Sequence, residues 1–176
     1  MIRITILLLF CLTQSLSFGK TALKKDSILL TGIIFNNEER VKDVVIKIYN
    51  KNVLLKSVNV RASNLFKTYI PKNANLTINI SAPNFHDKRF FFDTHVPDEL
   101  KRLPDYKFDI DIYSDKELGT INASLLDFPA GLVKYDKKKK IFIRDKAYTK
   151  RMKSAFYQIL EEAALAERAS MKEHED

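Results

Sequence analysis

The feature that most constrains this chain is an alternation of apolar and polar residues that recurs from Ile28 to Tyr113. Val44, Ile46 and Ile48 alternate with Val45, Lys47 and Tyr49, and Leu76, Ile78 and Ile80 with Thr77, Asn79 and Ser81. Phe108, Ile110 and Ile112 stand in the same relation to Lys107, Asp109 and Asp111. Successive side chains of a strand point to opposite faces, so each set describes a half-buried strand and not a helix, whose period is longer. The same period runs less cleanly through residues 28–35, 53–60, 66–70 and 88–94, which makes seven strands. Between them stand Asn36-Asn37, Asn50-Lys51-Asn52, Ser63-Asn64, Pro71-Lys72-Asn73 and Pro83-Asn84, all turn-forming combinations. Turns roughly every ten residues leave no room for crossover helices. The expected fold is mainly β: an antiparallel seven-stranded Greek-key sandwich over residues 28–113.

After Tyr113 the spacing fails, and residues 114–144 read as a connecting segment followed by a late hairpin. Its strands, 131–135 and 141–144, flank Asp136 and the run Lys137, Lys138, Lys139 and Lys140. A C-terminal amphipathic helix over residues 145–172 follows, with Asp145 placed to cap it. Tyr148, Met152, Ala155, Phe156, Ile159, Leu160, Ala163 and Ala166 share one helical face. Leu165 lies about opposite Phe156 and is the one large apolar residue that this stripe does not explain. Lys150, Arg151 and Lys153 sit near the positive end of the helix dipole, so packing rather than charge placement must hold this helix.

The N-terminus has the layout of a signal peptide over residues 1–19. Arg3 precedes an apolar run from Ile4 to Leu12, and small residues at Ser17 and Gly19 suit a signal peptidase. That run is roughly half the ~20 residues a membrane-spanning helix needs, so no transmembrane segment is expected in the mature chain; a retained anchor is the alternative. Cys11, the only cysteine, lies inside the run and would leave with it. The exported chain could then form no disulfide and must fold by burial alone. Its formal charge, +8 for the whole chain and +7 without Arg3, favours anionic surfaces such as a phosphorylated glycolipid.

Chemistry-bearing residues are sparse. His86, His95 and His174 form no pair at metal-ligand spacing, and four glycines in the whole chain make neither a phosphate loop nor a nucleophile elbow. No cofactor and no catalytic residue is assigned. Asp109 and Asp111, with Asp105 and Asp115 nearby, could hold calcium through hard oxygen ligands, though alternation places carboxylates on any solvated strand face. Lys137, Lys138, Lys139 and Lys140 are candidate anion-binding residues, or simply a solvated turn. Nucleic acid is not expected as a partner of an exported chain. Met152, Phe156, Ile159, Ala163 and Leu165 are candidate partner-binding residues. Asn75-Leu76-Thr77 and Asn122-Ala123-Ser124 are glycosylation sequons, meaningful only in a eukaryotic source.

From Leu30 to about Phe85 the sequence resembles the carboxypeptidase-regulatory-like, transthyretin-like sandwich domain abundant in envelope proteins of Bacteroidetes-type bacteria. The resemblance lies in a Gly-bearing strand at Thr31-Gly32-Ile33, the β-branched strand Val44 to Tyr49, and the turn before an aromatic at Ser63-Asn64-Leu65-Phe66. Pro71 and Asn84-Phe85 follow in the places of a Pro and a second aromatic turn. Leu65 and Asn84-Phe85 stand where the family usually has Gly and Gly-Tyr, and the match leaves residues 88–176 unassigned. Such domains are generally noncatalytic, so the resemblance implies an envelope binding or scaffolding module in the periplasm or cell envelope, with an envelope protein or glycan as partner. Two alternatives stand beside it. One is an assembly or secretion factor that grips extended chains at a sheet edge; the other is a small metal-dependent hydrolase using Asp109, Asp111 and a histidine.

Overall fold

A computed structural model describes residues 26–60, 65–119 and 126–173. The signal-peptide segment with Cys11, the turn Ser63-Asn64, the sequon at Asn122 and His174 lie outside the described residues. In chain order the elements are β1 (Ser27–Gly32), β2 (Ile34–Asn36), β3 (Glu39–Arg40), β4 (Val44–Asn50), β5 (Val53–Val60), β6 (Phe66–Pro71), β7 (Asn75–Ala82) and β8 (Phe85–Asp93). They continue with β9 (Tyr106–Lys107), β10 (Ile110–Asp111), α1 (Asp115–Leu118), β11 (Pro129–Asp136), β12 (Ile141–Arg144) and α2 (Lys146–Glu173).

The chain is mainly β, with the late hairpin and the C-terminal helix, and each of the seven alternating stretches contains a strand. The first and last are interrupted, at Ile33 and at Phe108-Asp109, where the Asp109 side chain takes a ladder position and its Oδ1 accepts the Ile33 amide at 3.1 Å. One layer is a six-stranded sheet in the order β12-β11-β8-β7-β4-β5. The other places β6-β1-β9 beside β10-β2-β3. Amides of Phe108, Ile110 and Ile112 donate to carbonyls of Thr31, Ile33 and Phe35, so this ladder runs on through both interruptions.

Three strand pairings differ from a wholly antiparallel sandwich: β1 runs parallel to β9, β2 to β10 and β8 to β11. Parallel neighbours require a long return connection. Residues 94–105 carry the chain from β8 to the other layer.

Alternation sets which side chains meet between the layers. Ile46 faces Ile80 and Ile48 faces Ile78 across β4 and β7, while Ile78 and Leu76 meet Phe90 and Phe92 across β7 and β8. With Ile28 and Leu30 of the opposite layer they form one buried cluster. Asn37, Asn52, Asn73 and Asn84 all adopt positive φ at turns. Asparagine tolerates that left-handed region better than other side-chain-bearing residues, which lets a chain so poor in glycine turn sharply.

At the start of α1 the Ser114 amide and hydroxyl both donate to Glu117 Oε2 at 2.7 Å, and the Ser114 hydroxyl accepts the Glu117 amide at 3.2 Å. This is a capping box. Asn36 and Asn37 amide groups add bonds to the same carboxylate, at 2.7 and 2.6 Å, tying the β2–β3 turn to α1. The Ser114 backbone bond, followed by the Ser114 hydroxyl and the two asparagines, holds the Glu117 carboxyl at about 2. The unfolded chain therefore takes up this proton first, so the stabilisation is complete above the ordinary value of 4.5 and is lost as pH falls toward 2. Glu117→Gln should lower stability by about 1 kcal/mol or less at neutral pH, because the carboxylate is well solvated. Its melting temperature should decline less steeply than that of the wild type from about pH 5 to about pH 2. Parallel melting profiles for the two proteins would contradict the assignment.

Candidate functional site

The site is built by the first half of α2 closing over the sheet. Asp145 starts the helix as the sequence suggests: its Oδ1 accepts the Tyr148 amide at 2.9 Å and its Oδ2 accepts from Lys134 Nζ at 2.6 Å. The Tyr148 hydroxyl donates to the Pro129 carbonyl at 3.1 Å, and the Thr149 hydroxyl to the Asp145 carbonyl at 2.8 Å. Gly131 lies beneath: a Cβ there would come within 3.1 Å of the Phe90 ring and 3.8 Å of Thr149 Oγ1. Its missing side chain leaves room for the Phe90 ring of the neighbouring strand. Phe156 then stacks on Tyr113, ring centroids 5.0 Å apart and planes 20° apart.

Under this roof lies a cleft of about 240 Å³ between α2 and strands β8, β10, β11 and β12. Its walls carry Phe90, Tyr113, Met152 and Phe156 together with Lys88 and Arg144. Lys88 Nζ donates to the Asp111 carbonyl at 2.5 Å and lies 5.2 Å from the centre of the Tyr113 ring. Arg144 donates to the Asp109 carbonyl at 2.7 Å, with its guanidinium 5.9 and 5.7 Å from the Phe90 and Phe108 rings. Neither cation joins an ion pair with a carboxylate among the described residues. Burial pushes the Lys88 ammonium below the usual lysine range; the Asp111 charge opposes that shift and the Arg144 charge adds to it. His86, on the same wall, has a buried Nε2 with no hydrogen-bond partner among the described residues.

The sequence-derived candidates fall in several places. Met152 and Phe156 are half-buried in the cleft roof, and Ile159, one turn on, is half-buried. Ala163 is within α2, but its side chain is outside the described set. Leu165 is 57% exposed and does not line the cleft. Lys137, Lys138, Lys139 and Lys140 are all exposed in the β11–β12 turn, where the amides of Lys138 and Lys139 donate to Asp136 Oδ1. Asp109 is engaged with Ile33 and, at 2.8 Å, with Lys107, while Asp111 lines the cleft. His95 contacts Asp93 at 2.6 Å. Among the described residues no three His, Cys, Asp or Glu side chains gather to hold a metal ion.

Lys88 and Arg144 were not singled out by the sequence reading, yet a signal was present. Lys88 has the parity of the buried Phe90 and Phe92, and Arg144 that of the buried Phe142. A cation in an inward-facing strand position is the informative exception to alternation.

No family model matches this chain, and no curated protein matches it. Among solved structures, the one titled "Crystal Structure of S.CueP" is similar at 11% identity and a TM-score of 0.36. The match covers 51% of this chain and 64% of that one, so this chain spans less than two thirds of that protein's length. Likeness at that level carries no argument about function. No helix among the described residues is long and apolar enough to cross a membrane.

Proposed function

We propose that this chain is an exported, noncatalytic envelope module of the carboxypeptidase-regulatory-like type, holding an envelope protein or glycan at the cleft under α2. The observation that carries this reading is the pair Lys88 and Arg144, which share an aromatic-walled cleft without a carboxylate ion pair. Lys88 is partly desolvated and has a second cation, the exposed Arg144, beside it, which costs free energy that an external partner can offset. The Thr149 hydroxyl on the α2 wall is committed to the Asp145 carbonyl, which favours binding over covalent chemistry at that residue. The expected leader and the basic balance of the chain agree with an anionic envelope partner.

Expression in a secreting host should give a mature protein that begins at or near Lys20 by intact mass. That protein should be retained on the isolated cell envelope of its source, and the Lys88→Met/Arg144→Met double variant should lose at least about tenfold in retention, as removal of charge-assisted hydrogen bonds predicts. Equal retention of both proteins would overturn the cleft as the contact site.

A second reading is supported by β5, which ends the six-stranded sheet and exposes Val53, Leu54 and Leu55. An open apolar edge can accept an extended chain as an added strand. Lys56 and the irregularity opposite Ile48 and Tyr49 work against this use, since charge and bulges both discourage edge pairing. Leu54→Lys should abolish envelope retention if the edge is the contact and leave it unchanged if the cleft is.

A further inference from the structure

Resting on the reading of the cleft as a binding site, we infer that it takes an organic acid, with the carboxylate between Lys88 and Arg144 and a ring-shaped body beside Met152, Tyr113 and Phe156. Lys88 and Arg144 line the cleft together, while the Asp87 carboxylate accepts from the Asn79 side-chain amide at 2.9 Å.

The donors are available for such a group. An ammonium and a guanidinium each carry more N–H groups than their partners here occupy. Lys88 is bonded to the Asp111 carbonyl, and Arg144 to the Asp109 carbonyl. A carboxylate between them would also relieve their mutual repulsion, and charge-assisted bonds of this kind are the strong ones. His86 Nε2, buried on the same wall, is a further polar atom within the lining.

The size and walls define the body of the ligand. A volume of about 240 Å³ is below the range of pockets that enclose drug-sized molecules, so one ring with its acid group fits. Tyr113 and Phe156 stack on each other along the cleft, and Met152 adds an adaptable thioether beside them. Aromatic and sugar rings both pack against such apolar walls, so a free aromatic acid and the uronic acid of a glycan share the chemistry required.

Isothermal titration of the mature protein with phenylacetate, glucuronate, acetate and benzyl alcohol tests the inference. One ring-bearing acid should bind saturably with one site per chain, and acetate and benzyl alcohol should each bind at least about tenfold more weakly. Tighter phenylacetate identifies a free aromatic acid as the source, and tighter glucuronate identifies a glycan. Lys88→Met and Arg144→Met should each weaken the better probe at least about tenfold, while Lys138→Met, at the hairpin tip, should not. Lys88→Met should not lower the melting temperature, because it removes a partly desolvated charge. Should Arg144→Met fail to fold, Lys88→Met and ligand-observed NMR on the wild type still decide the matter. No saturation by either acid below roughly 10 mM, or unchanged affinity in Lys88→Met, overturns the inference. If the acids fail while the double variant still loses envelope retention, the ligand class is wrong and the module reading stands. If an acid binds while envelope retention is absent in the wild type, the module reading falls instead.

Discussion

Gly32→Ala is expected to destabilise the protein by at least about 3 kcal/mol and to reduce its yield of folded material sharply. Gly32 ends β1, where it pairs with Phe66 of β6. A Cβ at this position would stand 2.0 Å from the Phe108 carbonyl oxygen, 2.6 Å from its carbon and 2.7 Å from Cε1 of the Phe66 ring. A ring can rotate, but a backbone carbonyl held in a ladder cannot. The Phe108 amide donates to the Thr31 carbonyl at 2.6 Å and the Ile110 amide to the Ile33 carbonyl at 3.0 Å, so retreat of Phe108 would pull apart the parallel pairing of β1 with β9. A glycine inside a strand marks this kind of close backbone approach. Gly131→Ala is the comparison, because its nearest neighbours are atoms of the Phe90 ring at 3.1 and 3.2 Å, which can shift. It should cost about 1 kcal/mol. Chemical denaturation of both variants would measure the difference, and equal effects would exclude the Phe108 carbonyl as the obstacle.

The second large effect is expected at Phe92, where truncation to alanine should cost about 3–5 kcal/mol. Phe92 is fully buried and meets Tyr106 and Phe142 edge-on, each at a centroid distance of 5.3 Å. Those partners belong to β9 and β12, so one side chain joins the opposite layer to the late hairpin. The loss combines transfer of a large apolar group, a cavity that β-sheet backbones cannot close, and two aromatic contacts. Phe91 is next in sequence and points to the other face, 42% exposed. Phe91→Ala should change stability by about 0.5–1 kcal/mol. The same contrast holds between Ile78, fully buried, and its half-buried neighbour Thr77. Similar losses at Phe91 and Phe92 would mean that β8 presents the opposite face to the core.

Local order was legible in the residues themselves. Alternation marks the strands because side-chain direction in an extended backbone depends only on parity. The asparagine-rich breaks marked the turns because asparagine accepts positive φ, and Asp145 marked the start of α2 because a carboxylate there meets the first free amides. The apolar stripe through Met152 and Phe156 announced that this helix face would be covered.

Which strands become neighbours was decided only in three dimensions. Parity says which face a residue takes and nothing about the strand beside it, so the parallel placement of β1 by β9 and of β8 by β11 left no mark in the periodicity. The candidate site depends on those same pairings. Lys88 and Arg144 lie 56 positions apart and come together because β11 stands between β8 and β12 and because α2 folds back over all three. A cleft built from such distant residues has no local pattern to announce it. The strands, the turns and the amphipathic helix have causes that lie within a few residues of each; the pairing order and the cation pair arise from packing between residues far apart in the chain.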